Sequence, residues 1–108
     1  MSIHRSSVEK RATVARALAE AGLDDVYVLD HESAAEVLTP KRRQLLERIA
    51  AGDIHSVRSL ADDIGRDKGA VSRDLEVLAR HDLVAFTEEG TRKIPRNKHE
   101  TVVVEPIL

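Results

Sequence analysis

Residues 56–84, SVRSLADDIGRDKGAVSRDLEVLARHDLV, contain two helical patterns separated by a very short connection. Both patterns place apolar residues at the spacing of one helix face: Val57, Leu60, Ala61 and Ile64 in the first, and Val71, Leu75 and Leu78 in the second. Gly65 is a typical helix stop, and only Arg66 and Asp67 remain before the next helix, with Asp67 as its cap. So short a turn predicts that the helices cross sharply instead of lying antiparallel.

The segments on either side of this stretch extend the pattern. Thr39 and Pro40 mark a helix start, and KRRQLLERIAA continues it with Leu45, Leu46 and Ile49 facing inward. We expect the charged residues of this helix on or near its solvent side: Arg42, Arg43, Glu47 and Arg48. After the stretch, Leu83–Thr87 alternates, EEGT forms a turn and Arg92–Ile94 returns, which predicts a β-hairpin. Pro95 ends the second strand or marks an edge.

The two ends of the chain predict further elements. Residues 7–22 favour a helix, and Gly22 is a plausible stop. Its predicted apolar stripe is mostly alanine and must pack on something close: Val8, Ala12, Ala15, Leu18 and Ala19. Residues 25–30, DVYVLD, predict a short strand, HESAAEVL one or two helical turns, and residues 101–108, TVVVEPIL, a terminal β-strand.

Composition limits the classes of protein that fit. The chain has 108 residues, 42% of them hydrophobic, which suits one small domain. Tyr27 and Phe86 are the only aromatic residues, and the lack of stacking rings disfavours single-stranded nucleic acid as a ligand. There is no cysteine, no apolar run of bilayer length and no signal-peptide core, so we expect a cytoplasmic protein without membrane contact.

Three helices followed by a basic hairpin describe a winged helix-turn-helix. Residues 38–95 resemble the MarR-like winged-helix domain of transcription regulators, and most closely small DNA-binding regulators common in archaea, especially haloarchaea. The resemblance covers roughly two thirds of the chain and depends mainly on SVRSLADDIGRDKGAVSRDLEVLARHDLV. The family usually has Gly where this chain has Asp82, and Asp tolerates the left-handed backbone that the position requires.

The predicted fold is therefore mainly α with a small β-sheet: a three-helix core plus a β-hairpin wing, with an N-terminal helix and a C-terminal strand. We divide the chain into an N-terminal extension (1–38), the winged helix-turn-helix DNA-binding domain (39–96) and a C-terminal β-strand tail (97–108).

This fold implies sequence-specific binding of duplex DNA by a transcription regulator. The recognition helix, about residues 68–81, enters the major groove, and the basic wing, about residues 88–96, contacts the backbone or the minor groove. Arg73 reads a guanine edge or grips a phosphate. The predicted DNA-binding residues are Ser56, Arg58, Ser59, Arg66, Lys68, Gly69, Ser72, Arg73, Glu76, Arg92 and Lys93.

The sequence also allows alternatives to DNA binding. The formal net charge is −2, so a polyanion site must be a local patch, and Glu76 either repels phosphate or accepts from a cytosine amine. The alternative function is a winged-helix protein–protein docking module in a transcription or replication assembly. The five histidines are scattered and no phosphate loop or nucleophile motif is present, so we predict no catalytic residues, no metal site, no cofactor and no enzyme activity.

One recognition helix contacts too few base pairs for useful specificity, so we predict a homodimer. The N-terminal helix and TVVVEPIL lie outside the winged core and would form its interface, with Asp25–Asp30 and Thr101–Val104 paired as strands. Alternatively, both elements cap the core of a monomer. The operator, the direction of regulation and any effector ligand are not encoded in recognisable motifs.

Overall fold

A computed structural model describes residues 3–23 and 25–105 of the chain. In these ranges the elements in order are α1 (Ile3–Glu20), β1 (Val26–Leu29), α2 (His31–Val37), α3 (Pro40–Ala50), α4 (Val57–Ile64), α5 (Lys68–Arg80), β2 (Val84–Glu89), β3 (Arg92–Asn97) and β4 (Thr101–Val104). The prediction of a mainly helical chain with little β-structure is confirmed. The chain forms two compact units: a central unit, Val37–Lys98, and a terminal unit from the residues on either side of it.

The helices of the central unit begin and end where their capping residues predict. Thr39 caps α3 by accepting a hydrogen bond from the backbone N–H of Arg42 (3.3 Å). Ser56 caps α4 by accepting from the backbone N–H of Ser59 (2.9 Å). Gly65 ends α4 with φ +68°, a left-handed backbone that suits glycine, and Asp67 caps α5 two residues later. The predicted sharp turn between α4 and α5 is thus present.

The three helices of the central unit bury a continuous set of aliphatic side chains. All the aliphatic side chains with no exposed surface in the described ranges belong to the apolar stripes predicted from the sequence: Leu45, Leu60, Val71, Leu75 and Leu78. Leu83, Val84 and Ile94 extend the core to the start of the hairpin. Burying α5 on one side leaves its opposite side exposed.

The hairpin of the central unit is the predicted wing. β2 and β3 pair antiparallel, with Phe86 opposite Pro95, Glu88 opposite Lys93 and Glu89 opposite Arg92. Pro95 lies inside β3 instead of ending it. Because the sheet has only two strands, each strand has an open edge, where a missing N–H costs no hydrogen bond between strands.

The terminal unit contains a second two-stranded sheet. β1 and β4 pair in parallel, from Val26 opposite Thr101 to Leu29 opposite Val104, so the predicted strand pairing occurs within one chain. The α1 helix packs against β1, and the Arg11 guanidinium donates to the buried Glu105 carboxylate at 3.1 Å. Residues 106–108 of the predicted terminal strand lie outside the described residues.

The predicted stripe of α1 is only partly correct. The less exposed face of α1 includes Arg11, Val14, Ala15 and Leu18, whereas Val8, Ala12 and Ala19 are exposed. The face that carries Arg11 lies toward Glu105. Burying the small alanine side chains instead would gain little free energy, because they have little apolar area. No helix among the described residues is long and apolar enough to cross a bilayer.

Candidate nucleic-acid interface

Three elements of the central unit meet around one groove of about 390 Å³. The start of α4, the start of α5 and the turn of the hairpin each contribute to it. The lining residues are Ser56, Val57, Arg58, Lys68, Ser72, Thr91, Arg92 and Lys93. We call this set the basic groove. Six of the eleven predicted site residues line it, so the structure brings together positions that are up to 37 residues apart in sequence.

The basic groove carries positive charge with no negative charge beside it in its lining. Arg58, Lys68, Arg92 and Lys93 are its charged residues, and all four are exposed. Within the described ranges none of them forms an ion pair with a carboxylate. The Lys93 ammonium lies 5.3 Å from the centre of the Phe86 ring, a distance at which the ring face attracts a cation. Four unpaired cations around a groove suit a polyanion.

Two helix N-termini add to this positive potential. The backbone N–H groups at the start of a helix carry partial positive charge and favour phosphate. Lys68 is the first residue of α5 and Arg58 is the second of α4, so both residues lie in the first turn of a helix. The basic groove therefore combines formal charge with the dipole of α4, whereas at the start of α5 the Asp67 carboxylate, which accepts from the backbone N–H of Ala70 at 3.0 Å, offsets part of the potential.

The hydroxyls of Ser56 and Ser59 are already engaged in capping α4. Besides the cap itself, the Ser59 hydroxyl accepts from the backbone N–H of Ser56 at 3.0 Å and donates to the Ser56 carbonyl at 3.0 Å. It also accepts from the backbone N–H of His55 at 3.2 Å. Ser56 lines the basic groove and Ser59 does not, so the predicted DNA contact of Ser59 would compete with this capping box.

The outer face of α5 lies beside the basic groove without lining it. Gly69, Arg73 and Glu76 are exposed there, at helical spacing. A side-chain carbon at Gly69 would lie 3.5 Å from the Arg73 Nη1 atom, so the Arg73 guanidinium folds back toward the start of the helix. The same position would lie 3.0 Å from Asp67 Oδ2, so the side chains of Asp67 and Arg73 both cover the space above Gly69.

Arg66 lies away from this surface. Its side chain is only 16% exposed, and its Nη2 donates to the Asp74 carboxylate at 2.7 Å. Arg42 Nε donates to the other Asp74 oxygen at 3.1 Å, so Arg42 also departs from its expected solvent side. We call Arg42, Asp74 and Arg66 the ion cluster. The predicted phosphate contact of Arg66 stays a prediction, and its guanidinium is already held within the protein.

The ion cluster determines the protonation of Asp74. Burial alone would raise the pKa of Asp74, but the hydrogen bonds from Arg66 and Arg42, together with their charges, outweigh it and hold this pKa below its ordinary value of 3.8. Asp74 is therefore ionised at neutral pH and accepts one hydrogen bond from each of two guanidinium groups, that of Arg42 in α3 and that of Arg66 in the α4–α5 turn.

Sequence reasoning missed two lining residues, Val57 and Thr91. Val57 belongs to the apolar stripe of α4 and was assigned to the core, where it is indeed buried. Thr91 sits in the turn of the hairpin, beside Arg92. Its position in the EEGT turn could have identified it, because a residue at the wing tip next to the predicted site residue Arg92 is close to whatever Arg92 contacts.

Comparison with solved structures matches this architecture. The chain is 28% identical to the homodimeric winged helix-turn-helix DNA-binding domain (fragment 1–100) of Mb0332 from Mycobacterium bovis, described as a possible ArsR-family transcriptional regulator, with 64% of each chain covered and a TM-score of 0.58. It is 32% identical to a possible transcriptional regulator for arsenical resistance, covering 61% of this chain and 65% of that one, with a TM-score of 0.51.

A third similar structure is a possible transcriptional regulatory protein (fragment 1–100) from Mycobacterium bovis, at 27% identity, with 64% of this chain and 74% of that one covered and a TM-score of 0.56. The chain covers less than two thirds of the length of the first two structures.

The three-helix core and hairpin, together with these matches, define a winged helix-turn-helix, and the predicted fold is confirmed. The model of the HVO_A0114 family matches residues 37–104, more than half of the chain, and the chain belongs to that family. No curated protein is significantly similar in sequence.

Proposed function

We propose that this protein is a transcription regulator that binds duplex DNA through the basic groove. One observation carries the proposal: the groove presents four exposed cations and no carboxylate, at the junction of two helix N-termini and a hairpin. Duplex DNA carries one phosphate charge per about 1.7 Å of its axis, and such a groove matches it. The similar solved structures support the proposal because all three are described as possible transcriptional regulators or regulatory proteins, and one of them is described as a DNA-binding domain.

In the proposed complex α5 enters the major groove, which is wide enough for one helix. Its outer face then meets the base edges, with Arg73 as the residue that reads a guanine or grips a phosphate. The wing follows the backbone or the minor groove with Arg92 and Lys93. The remaining members of the proposed contact set are Ser56, Arg58, Ser59, Arg66, Lys68, Gly69, Ser72 and Glu76.

A homodimer is part of the proposal. Mb0332 is described as homodimeric, and two recognition helices would read both halves of a near-palindromic site. The large apolar side chains that are exposed in the described chain, Val8, Leu23 and Val104, all belong to the terminal unit, which we propose as the dimer interface. Light scattering at micromolar concentration should give twice the 12.0 kDa chain mass. A monomer would contradict this part of the proposal.

The MarR-like subtype stays a prediction, because one similar structure is described as ArsR-family and none as MarR-like. The same holds for the archaeal relationship and for the domain limits 1–38, 39–96 and 97–108. An enzyme role is not proposed, since the similar structures are described as possible transcriptional regulators.

The test is binding to duplex fragments of random sequence at two salt concentrations. If the four cations of the basic groove each neutralise one phosphate, the logarithm of affinity should fall with the logarithm of salt with a slope of about −3.6 per protomer. Between 50 and 200 mM salt the affinity should then drop about 150-fold if one protomer binds, and about 2 × 10⁴-fold if the proposed dimer binds with both. Little binding at either concentration would refute the DNA proposal and favour the protein-docking alternative.

A further inference from the structure

The wing is a ribbon with opposite charges on its two strands. At its tip, Glu89 of β2 lies opposite Arg92 of β3, and Glu88 lies opposite Lys93. All four side chains are exposed. The arginine and the lysine line the basic groove, whereas neither glutamate does. The acidic strand therefore lies on one edge of the ribbon and the basic strand on the other.

These opposed charges do not neutralise each other through direct contact. Directly opposite residues of an antiparallel pair have Cβ atoms about 4.5–5.5 Å apart, yet no ion pair within 4 Å joins them in the described part of the chain. The cations of β3 stay available for phosphate. The glutamates of β2 are close enough, within a Debye length of about 8–10 Å, to repel a phosphate that approaches their own edge of the ribbon.

We propose that Glu88 and Glu89 repel DNA from the β2 edge of the wing and thereby weaken non-specific binding. The inference rests on the proposed function. With the β3 edge toward the backbone, the carboxylates lie one strand farther from the phosphates. A non-specific complex samples many other orientations, and in those with the β2 edge toward the DNA the carboxylates repel the phosphates and weaken binding. Such repulsive elements suppress wrong modes of association without adding contacts to the right one.

The test uses a fluorescent duplex of random sequence, about 24 base pairs long, titrated by anisotropy at low salt. Glu88→Gln with Glu89→Gln should bind this duplex about 2- to 30-fold more tightly than the wild type, since each exposed charge contributes modestly. Each single substitution should give an intermediate gain. A gain in affinity does not arise from unfolding, so loss of structure cannot imitate the result.

The matched control is Glu47→Gln, which removes one exposed carboxylate from α3. Glu47 also neighbours an arginine, with Arg43 Nη2 3.8 Å from its carboxylate, and it does not line the basic groove. We expect this variant to bind within about twofold of the wild type. Equal gains for Glu47→Gln and Glu88→Gln, or no gain for the double variant, would overturn the inference while leaving DNA binding intact. A wild type that binds no duplex refutes the proposed function itself.

Discussion

Replacing Asp74 with asparagine should destabilise the protein markedly, because the ion cluster depends on it. Asp74 accepts charge-assisted hydrogen bonds from Arg66 (2.7 Å) and Arg42 (3.1 Å). Hydrogen bonds to charged groups contribute about 1.5–3 kcal/mol each, and breaking a buried ion pair costs about 3–5 kcal/mol. The three side chains keep 16–20% exposure, so solvent screens part of this energy. We expect Asp74→Asn to lower the free energy of unfolding by about 2–4 kcal/mol.

Urea unfolding measures this loss, and the exposed pair of Arg43 and Glu47 provides the control. Their side chains are 65% and 72% exposed, so Glu47→Gln should cost less than about 0.5 kcal/mol. A double-mutant cycle of Asp74→Asn with Arg66→Met should give a coupling energy of about 1–3 kcal/mol. A loss below about 1 kcal/mol for Asp74→Asn, or a coupling near zero, would refute the assignment of the ion cluster as a stabilising contact.

The same residue gives this prediction a pH dependence. The pKa of Asp74 is lowered in the folded protein, so its contribution is present above the ordinary value of 3.8 and is lost as pH falls through the folded pKa. The stability difference between wild type and Asp74→Asn should therefore be largest at neutral pH and shrink on acidification below 3.8. Urea unfolding at pH 7 and at successively lower pH measures it. A difference that stays constant would contradict the ionised, hydrogen-bonded state of Asp74.

Three further substitutions test the recognition helix and the turn before it. Arg73→Ala should cost more affinity for a fragment selected from the source genome than for random duplex, by about 1–3 kcal/mol, and equal losses would reassign Arg73 to phosphate. Gly65→Ala should cost about 1–2 kcal/mol of stability because φ is +68° where nothing lies near an added carbon. Gly69→Ala adds a carbon 3.0 Å from Asp67 Oδ2, the atom that accepts the capping hydrogen bond of α5. The gain in helix propensity and the disturbance of the cap are both about 1 kcal/mol, so stability should change by less than about 1 kcal/mol. A stable Gly65→Ala protein would contradict the strain at that position.

Much of the central unit could be predicted because its signals are local. Thr39, Ser56 and Asp67 cap the helices that they precede. The side chain of each accepts a hydrogen bond from a backbone N–H three residues farther along the chain. Asp82, in place of the expected glycine, adopts φ +67° as predicted. Apolar spacing identified the buried leucines of α3 to α5, because large aliphatic side chains dominate the free energy of burial.

The terminal unit was harder because its signals are weak and distant. Because most side chains on α1 are small, rotating the helix changes the buried apolar area little. On the observed face Arg11 forms ion pairs with Glu105, 94 residues away (3.1 Å), and with Asp30 (3.8 Å). The parallel pairing of β1 with β4 joins segments about 75 residues apart. Their β-propensity was enough to predict the pairing, but the prediction placed it at a dimer interface and not within one chain.

The candidate site was predictable as a set of charges but not as a set of contacts. Arg58, Lys68, Arg92 and Lys93 were expected at a DNA surface, and the fold gathers them around one groove. Nothing in the local sequence distinguished them from Arg66, whose partner lies eight residues on, across the turn and in the next helix. Ion pairs of that kind depend on how the helices pack, so the sequence alone could not show which arginines are paired with a carboxylate and which are exposed at the groove.

The most direct measurement of the central claim is NMR mapping of backbone amides while duplex DNA is added to the wild-type protein. We expect the largest shifts to cluster at the basic groove and the outer face of α5, around Arg58, Lys68, Ser72, Arg73 and residues 91–93. Shifts confined to the terminal unit, or spread evenly over the chain, would contradict it.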